Sequence, residues 1–191
     1  MRNKVLFITP IAMLAILPFV HAAEESTVNG PEYTGDGQLK FPKGYRQWVF
    51  LTSGLGMTYG VPSAADDNPK FDNVFVNRDS YQAFLATGHW PDKTEFVLEI
   101  RSSQSKGSIN NGGHFQSEMV AREVHVRDDQ RFPGKWAFFG YGSGERPAKQ
   151  IPTSASCYSC HQQHGAVDTT FVQFYPTLLN VAKEKGTYTE R

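Results

Sequence analysis

The sequence predicts an α+β domain built mainly on an antiparallel β-sheet, with short helices at its periphery. Three observations support this class. Stretches rich in aromatic and β-branched residues recur along the chain, turn-forming residues separate them, and helical periodicity is confined to short segments. Strands that follow one another through turns pair in antiparallel fashion, because parallel strands need long crossover connections.

Local composition places the individual elements. Strands are expected at Tyr45–Thr52, Phe71–Asn77, Thr94–Arg101, Phe115–Val126 and Trp136–Tyr141. The fourth of these stretches is long enough for one strand or for a pair. Two helices are expected, at Ser80–Thr87, which Gly88 ends, and at Pro176–Lys185, which Gly186 ends.

The first 22 residues have the composition of a signal peptide. Arg2 and Lys4 precede an apolar stretch, Val5–Val20, and small residues around Ala22 supply a cleavage site. A retained membrane anchor is the alternative, but the apolar stretch is short for a bilayer and contains two prolines. We therefore expect export to the periplasm, a flexible leader over residues 23–40, a single domain over residues 41–191, and no membrane segment after cleavage.

The charges of the chain balance. It has 19 basic and 19 acidic side chains, and cleavage near Ala22 removes two basic ones, which leaves a mature net charge near −2. Such a balance gives no electrostatic reason to expect binding to nucleic acid or to an anionic membrane.

The most informative motif lies near the C-terminus. Cys157 and Cys160 are the only cysteines, and His161 follows them directly. C-x-x-C-H is the attachment signature of c-type haem, in which each thiol forms a thioether and the adjacent imidazole is the proximal iron ligand. A zinc site would need further ligands, and a C-x-x-C redox pair usually lies early in a βαβ unit. The sequence therefore predicts one covalent haem c near the C-terminal end of the domain.

Further motifs occur in order over most of the mature chain: Gly44–Trp48, Asn73–Asn77, Ser80–Tyr81, Thr87–Gly88, Trp90–Asp92, Arg127–Asp128, Arg131–Phe132, Trp136–Phe138 and Asp168–Pro176. Together with the haem motif they resemble the cytochrome P-460 and cytochrome c′-beta family. The resemblance implies a periplasmic homodimer with one haem per chain, a proximal histidine and an open distal iron position. It also implies hydroxylamine oxidation, with a lysine–porphyrin bond, in the P-460 branch, and binding of small gases such as nitric oxide in the c′-beta branch.

The position that separates the two branches aligns with Leu98. The P-460 branch has its cross-linking lysine there, and the nearest lysine in this chain is Lys93. Because Lys93 is an odd number of residues away, it would point to the other face of a strand. We therefore expect no cross-link, and we expect Leu98 and Phe96, which share a face, to meet the porphyrin.

Two polar residues on the fourth strand are candidates for the distal pocket. The resemblance matches Glu123 to a distal glutamate of the P-460 branch that relays protons, and strand parity places His125 on the same face. A carboxylate beside an imidazole in an apolar pocket can move protons to and from an iron-bound ligand. The alternative is a strand face exposed to water.

The leading hypothesis is thus a five-coordinate haem c protein that binds or processes small nitrogen species, with a periplasmic electron-transfer partner. The competing class is a six-coordinate electron-transfer cytochrome, with a sixth ligand from Met57, Met119, His89 or His114. A peroxidase-like role for Glu123 and His125 is a third reading. His164 is expected to be a surface residue.

Overall fold

The computed structural model describes residues 30–59 and 67–191. The predicted signal peptide and the first part of the predicted leader lie outside these residues. Within the described residues, no helix has the length and apolar character needed to cross a bilayer.

Five strands form one antiparallel sheet in the order in which they occur along the chain. They are β1 (Val49–Leu55), β2 (Phe71–Val76), β3 (Glu95–Gln104), β4 (Phe115–Arg127) and β5 (Trp136–Gly142). The fourth stretch is one long strand, paired with β3 on one side and β5 on the other. This sheet, with its short helices, confirms the predicted α+β class.

The first strand begins later than predicted. Gly44 has a left-handed backbone conformation, with φ of 75°, and it starts a 3₁₀ turn at Tyr45–Gln47 that turns the Tyr45 side chain into the core. The aromatic residues at the start of the predicted strand therefore belong to a turn that packs on the sheet. Strand propensity alone could not distinguish the two, because both bury aromatic side chains.

The helices are short and lie around the sheet. They are α1 (Arg78–Thr87), α2 (Ser156–His164) and α3 (Leu179–Glu184), and a 3₁₀ turn covers Val172–Phe174. Gly88 ends α1 in a left-handed conformation with φ of 76°, as predicted. The last helix is shorter than predicted at its start, because the residues after Pro176 form a turn and Leu178 is the N-cap.

Both faces of the sheet are covered. On one face, α1, α3 and the segment before α3 pack on the strands around the buried side chains Phe84, Trp90, Phe96 and Leu178. The other face carries Val97, Val124 and Phe139, which pack against residues from the N-terminal segment. The haem motif belongs to the first face, which we call the helix face.

The flexible leader predicted over residues 23–40 is wrong for its described part. Leu39 is completely buried on the second face of the sheet. Its backbone N–H and carbonyl exchange hydrogen bonds of 2.9 Å with the backbone of Ala148. The polar composition of this segment predicts disorder, but the packed side chains of Leu39 and Tyr33 and a short ladder of backbone hydrogen bonds hold it against the domain.

One buried acid, Glu95, forms no ion pair with any of the described residues. Glu95 lies on the second face and is 3% exposed. Burial, and secondarily the charge of Glu32, raises the pKa of its carboxyl from 4.5 to about 8. The folded protein therefore binds a proton here that the unfolded chain releases at a lower pH.

This difference predicts how stability depends on pH. Because the folded-state pKa is the higher one, the free energy of unfolding should fall by a few kcal/mol, at roughly 1.4 kcal/mol per pKa unit, as pH rises toward 8. Replacing the acid by its neutral isostere, Glu95→Gln, should remove this decline, as measured by urea unfolding across the pH range. Glu118→Gln, at an exposed position of β4, is the matched control and should retain it. An equal decline in Glu95→Gln and in the wild type would contradict the assignment.

Candidate haem site

A cavity of about 760 Å³ opens on the helix face of the sheet. Its volume lies within the roughly 300–1,000 Å³ that is usual for cofactor pockets. Residues from β1 to β5, α2 and the segment before α3 line it. The residues predicted to hold the haem or to form its distal pocket are all on its wall, namely Phe96, Leu98, Glu123, His125, Cys157, Cys160 and His161.

Helix α2 presents the haem motif to this cavity. Cys157, Cys160 and His161 are three and four positions apart, so they lie on one face of the helix. Both thiols are free and partly exposed on the cavity wall. Burial raises the pKa of the Cys157 thiol, so this sulfur is an uncharged thiol at neutral pH.

The His161 imidazole is fixed by a backbone hydrogen bond. Its Nδ1 lies 2.8 Å from the carbonyl oxygen of Thr169, which can only accept, so Nδ1 carries the proton and donates it. Nε2 is then the unprotonated nitrogen, which is the form that binds a metal. Burial lowers the pKa of this imidazole, and the ring lies between Phe171 at 4.3 Å and Phe138 at 4.7 Å, measured between ring centroids.

The loop that carries the Thr169 carbonyl is held from several sides. Asp168 and Thr169 both have positive φ, 46° and 60°. Trp90 donates its backbone N–H to the Asp168 carboxylate at 3.0 Å, and its indole N–H to the Thr170 hydroxyl at 2.8 Å. The tail after α3 adds two bonds, from the Thr189 N–H to the Ala166 carbonyl at 2.9 Å and from the Arg191 side chain to the Gly165 carbonyl at 3.2 Å. This loop is the rigid support of His161.

His125 lies next to His161. The two ring centroids are 4.8 Å apart, and the His125 ring stacks on Phe138 at 4.0 Å with an interplanar angle of 11°. Its Nε2 is buried without a hydrogen-bond partner among the described residues, and burial lowers the pKa of the ring well below its ordinary value. The residue thus belongs to the aromatic end of the cavity, which His161 occupies.

Glu123 faces the same cavity from the next position of that strand face. It pairs with Leu98 across β3 and β4, and Leu98 pairs with Val74 across β2 and β3, so these three side chains form one row. The accessible surface of Glu123 opens into the cavity, where apolar neighbours and then the charge of Asp72 raise the pKa of its carboxyl. The acid is therefore more readily protonated than an acid in water.

Among the cavity residues that sequence reasoning did not assign to the site are two ionisable ones near Glu123. Asp72 and Tyr59 line the cavity beside Glu123, and burial is the main reason that the pKa of each is raised. Strand parity could have placed Asp72 on the cavity face, because Asp72 lies two residues before Val74 in β2 and the two side chains share a face. Tyr59 lies in the loop after β1, where no periodicity indicates direction.

The other residues considered in the sequence analysis differ in whether they line the cavity. Lys93 forms an ion pair of 2.6 Å with Asp128 and does not line the cavity. Met57 lines the cavity, whereas Met119, His89 and His114 do not. His164 is exposed on α2.

These features together define a site for a haem. Two thiols and an imidazole from one helix face a cavity with aromatic walls, and the imidazole nitrogen left free is the one that a metal needs. Among the described residues, no three His, Cys, Asp or Glu side chains form a group that would hold a metal ion by themselves. The donor set therefore fits a haem iron with one protein nitrogen ligand.

Comparison with known families agrees with this class. The family described as Cytochrome P460 matches residues 42–172, which is more than half of the chain. The chain therefore belongs to the cytochrome P460 family, a family of haem proteins. A search of curated proteins found no match.

The support of His161 predicts the effect of one small substitution. An added Cβ at Gly165 would lie 2.5 Å from the backbone of Thr169 and 2.6 Å from the carbonyl oxygen of His161. Gly165→Ala should therefore cost about 1–3 kcal/mol of unfolding free energy and shift the optical bands of the haem-loaded protein. Gly134→Ala is the control, because a Cβ there meets nothing within 4 Å. Wild-type stability and an unchanged spectrum in Gly165→Ala would show that the loop does not hold the imidazole.

Proposed function

We propose that this protein is a mono-haem c protein of the periplasm that binds small nitrogen species, such as nitric oxide or hydroxylamine, at an open iron position. One observation carries the proposal. The wall of the cavity carries an imidazole, His161, whose Nδ1 is bonded to a backbone carbonyl and whose Nε2 is free, and it also carries two acids and a phenol, Glu123, Asp72 and Tyr59. Such a site leaves one iron position to an external ligand and offers that ligand polar groups.

Each residue of the site has a role in this proposal. Cys157 and Cys160 would tether a haem through thioethers, and His161 Nε2 would be the protein ligand of its iron. A bound haem would supply an iron with a position for the external ligand and the capacity to change redox state. Glu123, with a raised pKa, holds or accepts a proton beside the ligand, and Asp72 keeps that proton in place through its charge.

Within the proposal, the presence of Leu98 favours reversible ligand binding over substrate turnover. It lines the cavity at the position where the family resemblance places a cross-linking lysine, and Lys93 is paired with Asp128 instead. Without the cross-link we favour reversible ligand binding over hydroxylamine oxidation. Phe96, beside Leu98 on the wall, would pack on the porphyrin edge.

The cellular setting follows from the sequence. The signal peptide predicted over residues 1–22 supports export and cleavage near Ala22. An association of two copies and a periplasmic electron-transfer partner are part of the proposal, because the family resemblance implies the first and a haem that changes redox state requires the second.

A second candidate function is supported by Met57. This residue lines the cavity, and its sulfur packs so closely on the backbone of Gly54 that a Cβ there would lie 2.4 Å from it. A thioether in this position is a potential sixth iron ligand. If it bound the iron, the protein would be an electron-transfer cytochrome.

Denaturing gel electrophoresis tests the covalent attachment of the haem. Haem attached through both cysteines should stay with the polypeptide on a denaturing gel and be detected there by haem staining. The double variant Cys157→Ser with Cys160→Ser should lose all staining, because no other cysteine exists in the chain. Ser159→Ala, within the same motif, is the control and should stain like the wild type. Staining of the double variant would overturn covalent attachment through these thiols.

Optical titration tests the open iron position. The ferric and reduced spectra should be those of a high-spin haem, and nitric oxide should shift them at once. A low-spin spectrum that ignores nitric oxide, and that Met57→Leu converts to high spin, would establish the electron-transfer function instead. A red-shifted reduced Soret band would reveal a modified porphyrin and contradict the inference from Leu98.

The proton-transfer role has its own signature. Glu123→Gln should leave the affinity for nitric oxide, which carries no proton, unchanged. Any step that moves a proton to or from bound hydroxylamine should slow by about 10²-fold or more. Stopped-flow measurements with both ligands across pH separate the two effects, with the exposed Glu118→Gln as control. If Glu123→Gln weakened the response to nitric oxide and the response to hydroxylamine equally, the role of Glu123 would be merely structural.

A further inference from the structure

A second cavity lies on the opposite face of the sheet from the haem site. Its volume is about 680 Å³, and its wall combines apolar and charged side chains. Phe41 and Trp48 supply aromatic surface, and Glu95 and Asn77 belong to the buried part of the wall. None of these residues takes part in the haem site.

The Glu95 carboxylate gives this cavity its chemical character. The residue is 3% exposed, and neither a hydrogen bond nor a cation among the described residues offsets the effect of burial on the pKa of its carboxyl. Its backbone N–H is already bonded to the Asn77 side-chain oxygen at 3.0 Å, which fixes the backbone at this point. A buried acid without a partner is unusual, because the desolvation of a charge is costly unless a cation or hydrogen-bond donors compensate for it.

The outer residues of the cavity carry the opposite charge. Lys40 pairs with Glu32 at 3.2 Å, so these two charges offset each other. Lys43 and Arg78 are exposed and line the cavity, and no described residue pairs with either of them. The cavity therefore has one acid in its interior and two uncompensated cations among its exposed residues.

We propose that this cavity binds a small zwitterion of the amino-acid class. Its ammonium group would pair with Glu95, its carbon chain would pack on Phe41 and Trp48, and its carboxylate would be held by Lys43 and Arg78. Each charged group of the zwitterion would pair with a charged group of the cavity that has no partner. An ammonium group compensates the buried acid, which burial otherwise keeps protonated near neutral pH. An arginine beside the entrance favours a carboxylate through paired N–H donors.

A matched set of probes tests the proposal on the mature, haem-loaded protein. γ-Aminobutyrate carries both charges, butylamine only the cation, and butyrate only the anion. At about ten times its dissociation constant, γ-aminobutyrate should raise the melting temperature by roughly 3–5 °C, and neither single-charge probe should match it. The haem absorption bands should not move during the titration, because the site lies on the other face of the sheet.

Two variants assign the effect to the cavity. Glu95→Gln keeps the shape of the side chain and removes its charge, so the stabilisation by γ-aminobutyrate should disappear. Arg78→Gln should weaken binding about tenfold or more, whereas the exposed control Arg146→Gln should bind like the wild type. Heat of binding measured by calorimetry gives the same comparison independently of stability.

Three results would overturn the proposal. They are the absence of any effect of γ-aminobutyrate on the wild type, an equal effect of butylamine or butyrate alone, and an undiminished effect in Glu95→Gln. None of these results bears on the haem function, which the optical titration tests separately.

Discussion

The hydrogen bond from His161 Nδ1 to the Thr169 carbonyl is the interaction on which the site depends. An imidazole has two nitrogens and can serve a metal only through the one that carries no proton. The 2.8 Å bond assigns the proton to Nδ1 and so leaves Nε2 free. Rotation of the His161 ring would break this hydrogen bond and would remove the ring from its packing between Phe138 and Phe171.

That bond in turn depends on parts of the chain that are distant in sequence. The Thr169 carbonyl is held by a loop of unusual backbone conformation, and Trp90, far earlier in the chain, anchors the loop through two hydrogen bonds. Trp90 is itself buried between Phe84 and Phe96. The hydrophobic core of the helix face and the position of the His161 ring therefore depend on the same contacts.

Much of this arrangement was predictable from the sequence, for identifiable reasons. The order of the strands follows from aromatic and β-branched stretches between turns, and strand parity correctly put Glu123 and His125 on one face. Parity could not show that His125 lies against the His161 ring, because that contact depends on where α2 crosses the sheet. The buried Leu39 and the cavity residue Tyr59 escaped prediction for a similar reason. Their directions are set by contacts with distant segments and not by local pattern.

The C-terminal tail has a practical consequence for anyone who produces this protein. Thr189 and Arg191 donate hydrogen bonds to the carbonyls of Ala166 and Gly165, in the loop that supports His161. A purification tag fused directly after Arg191 would disturb these bonds. A tag in the exposed turn between β3 and β4, where Ile109 is 93% exposed, would leave the loop intact.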